Sequence, residues 1–473
     1  MNKKFIYAPG PTSIRENVRF EMAKETTNPD CDKDFVEFYK KTCDDIAKIL
    51  NTKNDTYILC GEGILALEAA CASLTEVNDR VLILDNGIYG RGFKDFVEMY
   101  GGEAVLFSND FTKAINIDKL IDFLDKDSNF KYATIVHCDT PTGVLNDLSK
   151  ICKILNEYGI LTVVDSISAI GGEEIRVDDW RIDIALGASQ KALSATTGLS
   201  IVSVSEKAKD AMKNRKSKII GFYCNLTIWE NYYKDKWFPY TMPINDIIAL
   251  NSAVNNILEE GVSNVLNRHE KIAEATRKAI REYGLELFLE NGYSNTVTSV
   301  KIPESIGALK LRDYMLEKYN ALILTSLKPY DNEILRIGHM GENARENKII
   351  YVLNRHEKIA EATRKAVKEY GLELFLENGY SNTVTAVKIP ESIGAIKLRD
   401  YMLENYNALI LTSLKPYDNE ILRIGHMGEN AREDKVIYAL NIIDKALKEL
   451  GFKTDKDLVK LFNNYYDDRI SKN

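Results

Sequence analysis

Four short apolar runs, Thr56-Tyr57-Ile58-Leu59-Cys60, Val81-Leu82-Ile83-Leu84, Ala133-Thr134-Ile135-Val136 and Leu161-Thr162-Val163-Val164, punctuate the first part of the chain. Their length and β-branched content predict buried strands. Between them, Tyr89 to Tyr100 and Asp147 to Tyr158 carry apolar residues at three- and four-residue spacing, which predicts helices. This alternation is expected to build an α/β domain: a mostly parallel sheet covered by helices, with ligands at the carboxyl ends of its strands. From about Asn245 a long helical pattern runs past Glu260. Beyond it the pattern reads helix, strand (Thr296 to Ile302), helix (Ile306 to Tyr319), strand (Ala321 to Leu324) and strand (Ile334 to Gly338), a compact α+β module.

That module occurs twice. Val265 to Tyr351 recurs as Val352 to Tyr438 at an offset of 87 with seven substitutions, among them Ile280 to Val367 and Lys318 to Asn405. Two such similar copies, adjoining without a linker and absent elsewhere, indicate a duplicated module rather than a solenoid. The resulting organisation is an N-terminal segment (1–15), a large domain (16–255), small-domain copies at 256–351 and 352–450, and a tail (451–473). The boundary falls inside a helix, and Glu346 to Tyr370 contains no breaker, so one continuous junction helix is expected. After copy 2 a closing helix places Ile437, Leu440, Ile443, Leu447 and Leu450 on one face; the matching positions after copy 1 are Ile350, Leu353, His356, Ala360 and Thr363. Copy 1 should therefore keep its lead-in helix and lose part of its closing helix, and copy 2 the reverse. Copy 1 is expected beside the large domain, because covalent attachment raises its effective concentration there. The apolar contacts it lacks argue for copy 2.

Composition narrows the partners. With 70 acidic and 62 basic side chains, a net charge of −8 and no Lys/Arg block, the chain is not expected to bind nucleic acid. Pro9-Gly10-Pro11 interrupts the N-terminus before any apolar region develops, no run approaches a membrane span, and Ser471-Lys472-Asn473 departs from a peroxisomal tripeptide at its last position. A soluble cytoplasmic protein is expected. Seven cysteines, none in a C-x-x-C pair, read as reduced and mostly buried thiols, and no metal is implied.

The chemistry centres on Lys191 in Gly187-Ala188-Ser189-Gln190-Lys191-Ala192-Leu193, with Asp165 ending a strand 26 positions earlier. A lysine amine can hold an aldehyde as a Schiff base, and a carboxylate can keep a pyridine nitrogen protonated, so the pair suggests pyridoxal phosphate. Gly61-Glu62-Gly63-Ile64-Leu65-Ala66 follows a strand and opens a helix, a suitable anion site. The same turn matches G-x-G-x-x-A, and Asp85 ends the next strand, so a dinucleotide site is the competing reading. Asn86-Gly87-Ile88-Tyr89-Gly90 offers an aromatic ring at a strand-to-helix turn, and His137-Cys138-Asp139-Thr140-Pro141-Thr142-Gly143 supplies hydroxyls on a loop. Val163-Val164-Asp165-Ser166-Ile167-Ser168 places a carboxylate and an apolar side chain together.

With these segments, and with Pro9-Gly10-Pro11-Thr12, Thr241-Met242-Pro243 and Leu335-Arg336-Ile337-Gly338, the chain resembles the class V branch of fold-type I pyridoxal phosphate enzymes, specifically the alanine-glyoxylate and serine-pyruvate aminotransferase family. The resemblance runs from about Phe5 to Gly341 and, once copy 1 is skipped, through the C-terminus. It implies that Lys191 forms the Schiff base and then shuttles a proton, and that Asp165 pairs with the pyridinium nitrogen. It further implies Tyr89 and Ile167 on the two ring faces, Thr140 near the cofactor hydroxyl, and Glu62, Gly63, Ile64 and Gln190 around the phosphate, joined by Thr241 of the partner subunit in a homodimer. Arg336 or its duplicate Arg423 would grip the substrate carboxylate, with Gly10 also at the substrate. The implied activity is ping-pong transfer of an amino group from alanine or serine to glyoxylate or pyruvate.

Four departures stand out: Tyr89 replaces a tryptophan, Glu62 a frequent serine, Phe238 a phosphate-binding tyrosine, and Thr196-Thr197 a Pro-Pro pair, which should loosen the loop after Lys191. A cysteine desulfurase is disfavoured by Gln190 and by the lack of cysteines after Cys224. A phosphonate-specific transaminase, or a cofactor-binding protein impaired by its second small domain, stays open.

Overall fold

A computed structural model of the protein describes residues 4–344, 359–381, 384–426 and 433–467. The chain divides into two compact units, Met1–Arg345 and Glu346–Asn473.

Seven strands form the central sheet of the first unit: β1 (Asp55–Cys60), β2 (Arg80–Asp85), β3 (Glu103–Ser108), β4 (Tyr132–Val136), β5 (Leu161–Asp165), β6 (Ile184–Ala188) and β7 (Leu199–Val204). Their order is β1-β7-β6-β5-β4-β2-β3. Only β7 runs against its neighbours β1 and β6, and the other pairs are parallel. The four apolar runs are β1, β2, β4 and β5, each extended by one or two residues. Helices cover the sheet, so every residue of β4, β5 and β6 is buried, which is why these strands read as unbroken apolar runs.

Sheet order removes the dinucleotide reading. Such a site needs the glycine-turn strand beside the acid-ended strand, whereas β1 and β2 are separated by β7, β6, β5 and β4. Asp85 is instead buried against Arg91 at 2.8 Å and the Ser108 hydroxyl at 2.9 Å.

The long helix expected from Asn245 is two helices, Ile244–Glu260 and Val262–Glu282, broken at Gly261, whose φ of 86° ends the first. The expected strand Ala321 to Leu324 also divides. Ala321–Leu322 pairs in parallel with Phe5–Ile6, while Leu324–Thr325 pairs with Ile334–Gly338, which in turn pairs with Val297–Lys301. The N-terminal segment is thereby tied to the small module.

The second unit repeats this register, Val384↔Gly425 standing where Val297↔Gly338 stands in the first. Residues 359–370 are helical, which is the described end of the expected junction helix. The rest of the expected junction helix, and the predicted copy boundary, lie outside the described residues. The closing helix Glu433–Glu449 buries Leu440, Ile443 and Leu447 as its pattern predicts, and Leu458–Asp467 adds Leu458 and Phe462. The consequence is read on identical side chains. Tyr370 is 2% exposed and stacks on Phe452 with ring centroids 5.6 Å apart, whereas Tyr283 in copy 1 is 84% exposed. Leu398 and Met402 are buried, but Leu311 and Met315 only partly so. Among the described residues no helix is long and apolar enough to cross a membrane.

Candidate functional site

The carboxyl ends of five strands converge. Cys60 of β1 leads into Gly61-Glu62-Gly63, Asp85 of β2 into Gly87 and Tyr89, Val136 of β4 into Thr140, β5 ends at Asp165, and Ala188 of β6 leads into Lys191. They surround a cavity of about 210 Å³ lined by Gly10, Pro11, Glu62, Gly63, Ile64, Leu67, Tyr89, Thr140, Asp165, Ile167, Ser168, Gln190 and Lys191. Nine of the ten expected cofactor residues, and Gly10, are thus brought together. Thr241 is exposed and does not line the cavity.

Lys191 lies on a tight turn. Ser189 donates its hydroxyl to the carbonyls of Thr196 and Leu199 at 2.5 and 3.1 Å, and Ser194 adopts φ 59°. The Thr196 hydroxyl also donates to Asp246 at 2.7 Å, so this loop is tethered by side chains rather than loosened by the missing prolines. The N-terminal segment crosses over it: Lys191 Nζ donates to the Pro9 carbonyl at 3.0 Å, and Thr12 donates its hydroxyl to the Lys191 carbonyl at 2.9 Å. Burial, then the Arg336 charge, depresses the amine to about 8, which leaves a substantial neutral fraction near neutral pH.

Asp165 accepts from the Ile167 amide at 2.9 Å and has no ion-pair partner among the described residues. Burial, with Asp139 nearby, lifts it to about 7. A buried carboxylate without a cation suits a protonated ring nitrogen, since each charge would stabilise the other. Ile167 and Tyr89 both line the cavity, and a β-carbon on Gly63 would lie 2.7 Å from Ile167 Cδ1, so glycine keeps that wall close. The helix Gly63–Leu74 aims its N-terminus here. Glu62 caps it with its side chain, accepting from the Ile64 amide at 3.1 Å. Gln190 Nε2 donates to Glu62 Oε2 at 3.4 Å, which puts an amide donor at the same end. These residues suit pyridoxal phosphate.

Arg336 is buried, and its Nε and Nη1 donate to the carbonyls of Thr325 and Thr140 at 2.8 and 3.2 Å. Among the described residues it has no carboxylate partner. Arg423 belongs to the second unit, where its Nε donates to the Thr412 carbonyl at 2.9 Å, the counterpart of the first of these bonds. Phe238 is buried in an aromatic cluster, edge-on to Tyr39 with centroids 5.0 Å apart.

Two contributors carried no readable role in the sequence. Asp139 is fully buried and accepts from the amides of Tyr89 and Thr142 at 2.9 and 3.2 Å and from the Thr142 hydroxyl at 2.8 Å, holding the Tyr89 turn and the Thr140 loop together. A β-carbon on Gly87 would lie 2.3 Å from Asp139 Cγ, so this glycine was the available signal. Ser168 hydrogen-bonds Thr140 through their hydroxyls, and nothing local marks it.

The family model described as Aminotransferase class-V matches residues 17–323. An uncharacterized aminotransferase of Methanocaldococcus jannaschii is 35% identical over 377 residues, covering 79% of this chain and 97% of that protein. The serine–glyoxylate aminotransferase of Arabidopsis thaliana is 32% identical over 348 residues, covering 71% and 85%. The crystal structure of alanine–glyoxylate aminotransferase from Nostoc sp. superposes with a TM-score of 0.71 at 26% identity, covering 74% of this chain and 93% of its own.

Proposed function

The chain belongs to the class-V aminotransferases, pyridoxal phosphate enzymes, and from that premise we propose that it moves an amino group from alanine or serine to glyoxylate or pyruvate in two alternating half-reactions. The observation that carries the choice of a carboxylate-bearing substrate is Arg336. Its guanidinium is buried, held by two backbone carbonyls and free of any acidic partner among the described residues, while Thr140, whose carbonyl it binds, lines the Lys191 cavity. Such a cation gains most from an incoming carboxylate, which it can grip through two parallel hydrogen bonds.

The bound cofactor supplies an aldehyde for amine exchange and a ring that takes up electron density. The rest is the work of side chains. Lys191, partly neutral because it is buried, provides the attacking amine and then, once displaced, carries a proton from the substrate Cα. Asp165 would pair with a positive charge on the ring nitrogen, and Tyr89 and Ile167 would hold the ring and exclude water. Glu62, Gly63, Ile64 and Gln190 would hold the phosphate beside the helix N-terminus. Thr140 would stand near the ring hydroxyl, and Gly10, whose missing β-carbon leaves room beside Lys191, would lie at the substrate.

The same reading includes a homodimer in which Thr241 serves the partner's site. Its own-chain exposure supports this, as do the exposed Ile220, Phe222, Tyr223 and Trp237 on the segment leading to it. The test is a half-reaction: alanine added to the pyridoxal phosphate-loaded protein should release pyruvate stoichiometrically and convert the cofactor to its amine form. Loaded protein that releases no 2-oxo acid from alanine or serine would be a binding protein impaired in catalysis, and release only from an aminophosphonate would move the substrate class.

A further inference from the structure

Glu173 is a buried carboxylate with no part in the chemistry above. It closes the loop that begins at Asp165. The amides of Ala169 and Ile170 donate to the Ser166 carbonyl, and those of Gly172 and Glu173 donate to the Ala169 carbonyl, folding the segment into two tight turns. One rigid loop therefore carries Asp165, Ile167 and Ser168 at one end and Glu173 at the other.

Glu173 reaches across to the small module of the same unit. Its Oε1 accepts from the Ser294 hydroxyl at 2.7 Å and from the Asn295 amide. The approach depends on Gly172, where a β-carbon would lie 2.5 Å from Thr296 Cγ2. Thr296 leads directly into the strand Val297–Lys301, in which Ser299 stands opposite Arg336, and the Thr296 carbonyl accepts from the His339 amide at 3.0 Å just beyond that arginine's strand. Arg277 steadies the same turn by donating to the Ser294 carbonyl at 2.8 Å. One hydrogen-bonded route from the Asp165 loop to Arg336 runs directly through Ser168 and Thr140, and a second, which anchors the strands that carry the arginine, passes through Glu173.

We propose that Glu173 is a positioning residue that sets Arg336 relative to Lys191 and Asp165 by pinning the Ser294–Asn295 turn to the loop following Asp165. This rests on the reading of Arg336 as the substrate-carboxylate residue. Burial lifts Glu173 to about 7, so the pin rests on one buried oxygen accepting from two donors at once, bonds that are costly to leave unmade there. Displacing a binding group by about 1 Å costs on the order of 100-fold in rate, so a pin at this joint bears on catalysis without touching substrate.

A double-mutant cycle tests it, with Glu173→Ala, Arg336→Ala and the pair measured for kcat, KM of alanine and pyridoxal phosphate affinity. Glu173→Ala should raise KM on the order of tenfold, leave cofactor affinity within roughly twofold, and add little in the Arg336→Ala background, the signature of residues acting as a unit. Glu173→Gln keeps an acceptor at the same place and should recover most of the KM. Hydrogen exchange at the Asn295 amide should speed up in the alanine variant and return toward wild type in the glutamine variant. If the Glu173→Ala effect persists undiminished beside Arg336→Ala, Glu173 does not act through Arg336 and the proposal is overturned. If Arg336→Ala itself leaves KM unchanged, the reading of Arg336 fails first and the proposal falls with it. Should Glu173→Ala not fold, Ser294→Ala removes one donor of the same link and enters the same cycle, where full additivity again overturns the proposal.

Discussion

A β-carbon on Gly10 would lie 2.5 Å from Cδ of Lys191. The N-terminal segment is therefore a wall of the site, held there by the bond from Lys191 Nζ to the Pro9 carbonyl and by the pairing of Phe5–Ile6 with Ala321–Leu322. Gly10 also adopts φ 107°, where a side chain costs about 1–3 kcal/mol before any clash. Gly10→Ala should block covalent loading of Lys191, measured as the pyridoxyl mass increment on its peptide after borohydride reduction. Loading at the wild-type level would show that the segment swings away.

Arg336→Ala should raise KM for alanine by roughly 30- to 5,000-fold, the range for removing one partner of a buried charge pair at about 2–5 kcal/mol, with loading of Lys191 unaffected. Arg423→Ala should change neither quantity by more than about twofold. Steady-state kinetics of both variants decide between the copies, and the opposite pattern would assign the substrate carboxylate to copy 2.

Glu62 places a carboxylate on the helix N-terminus that faces the cavity. Two unit charges about 4 Å apart repel by about 1–4 kcal/mol between bulk water and a protein surface, so Glu62→Ser should tighten pyridoxal phosphate binding on the order of tenfold while a serine hydroxyl retains the cap. Equilibrium titrations at two salt concentrations check this, with the gain expected to shrink at high salt. Weaker binding would mean that the Glu62 carboxylate helps to build the cup.

Asp165 is lifted from 3.8 to about 7 by burial. A carboxyl raised in the folded state gives stability that is fully present at low pH and is lost as pH climbs through that window. In cofactor-free protein, Asp165→Asn should therefore melt close to wild type near pH 4 and progressively higher than wild type toward pH 8. A difference in Tm that stays flat across this range would show that the carboxyl is well solvated.

Deleting residues 352–438 joins the closing helix directly to copy 1. Tyr283 should then pass from 84% exposed to protected, as its counterpart Tyr370 is, and nitration of Tyr283 should fall sharply. Each kcal/mol of added burial should raise Tm by roughly 2–4 °C, and transamination should persist. A Tyr283 nitrated as readily as before would mean that the closing helix is not what covers this face.

Much of this molecule is legible in contiguous residues. The apolar runs at Thr56, Val81, Ala133 and Leu161 became strands because both faces of the sheet are covered, and Ile334 to Gly338 is a strand at the predicted bounds. The break at Gly261 differs from the expected single helix because the flanking sequence is helical on both sides and only a positive φ separates the two helices. The division at Ala321 to Thr325 was missed because its first half is paired by Phe5–Ile6, more than three hundred residues away.

The sequence by itself determined the family, the cofactor chemistry implied by Lys191 and Asp165, the strand-end motifs that line the cavity, and the existence of two near-identical modules. Each of these is written in short segments whose residue types and order carry the chemistry. Only the tertiary structure decided that Arg336 binds the carbonyl of Thr140 in the wall of the Lys191 cavity, that Asp139 holds Tyr89, that Glu173 joins the Ser294–Asn295 turn to the loop after Asp165, and that one tyrosine of a matching pair is buried while the other is bare. Burial, distance and the pKa values that follow from them depend on which distant segments pack together, and two identical stretches of sequence can meet different neighbours.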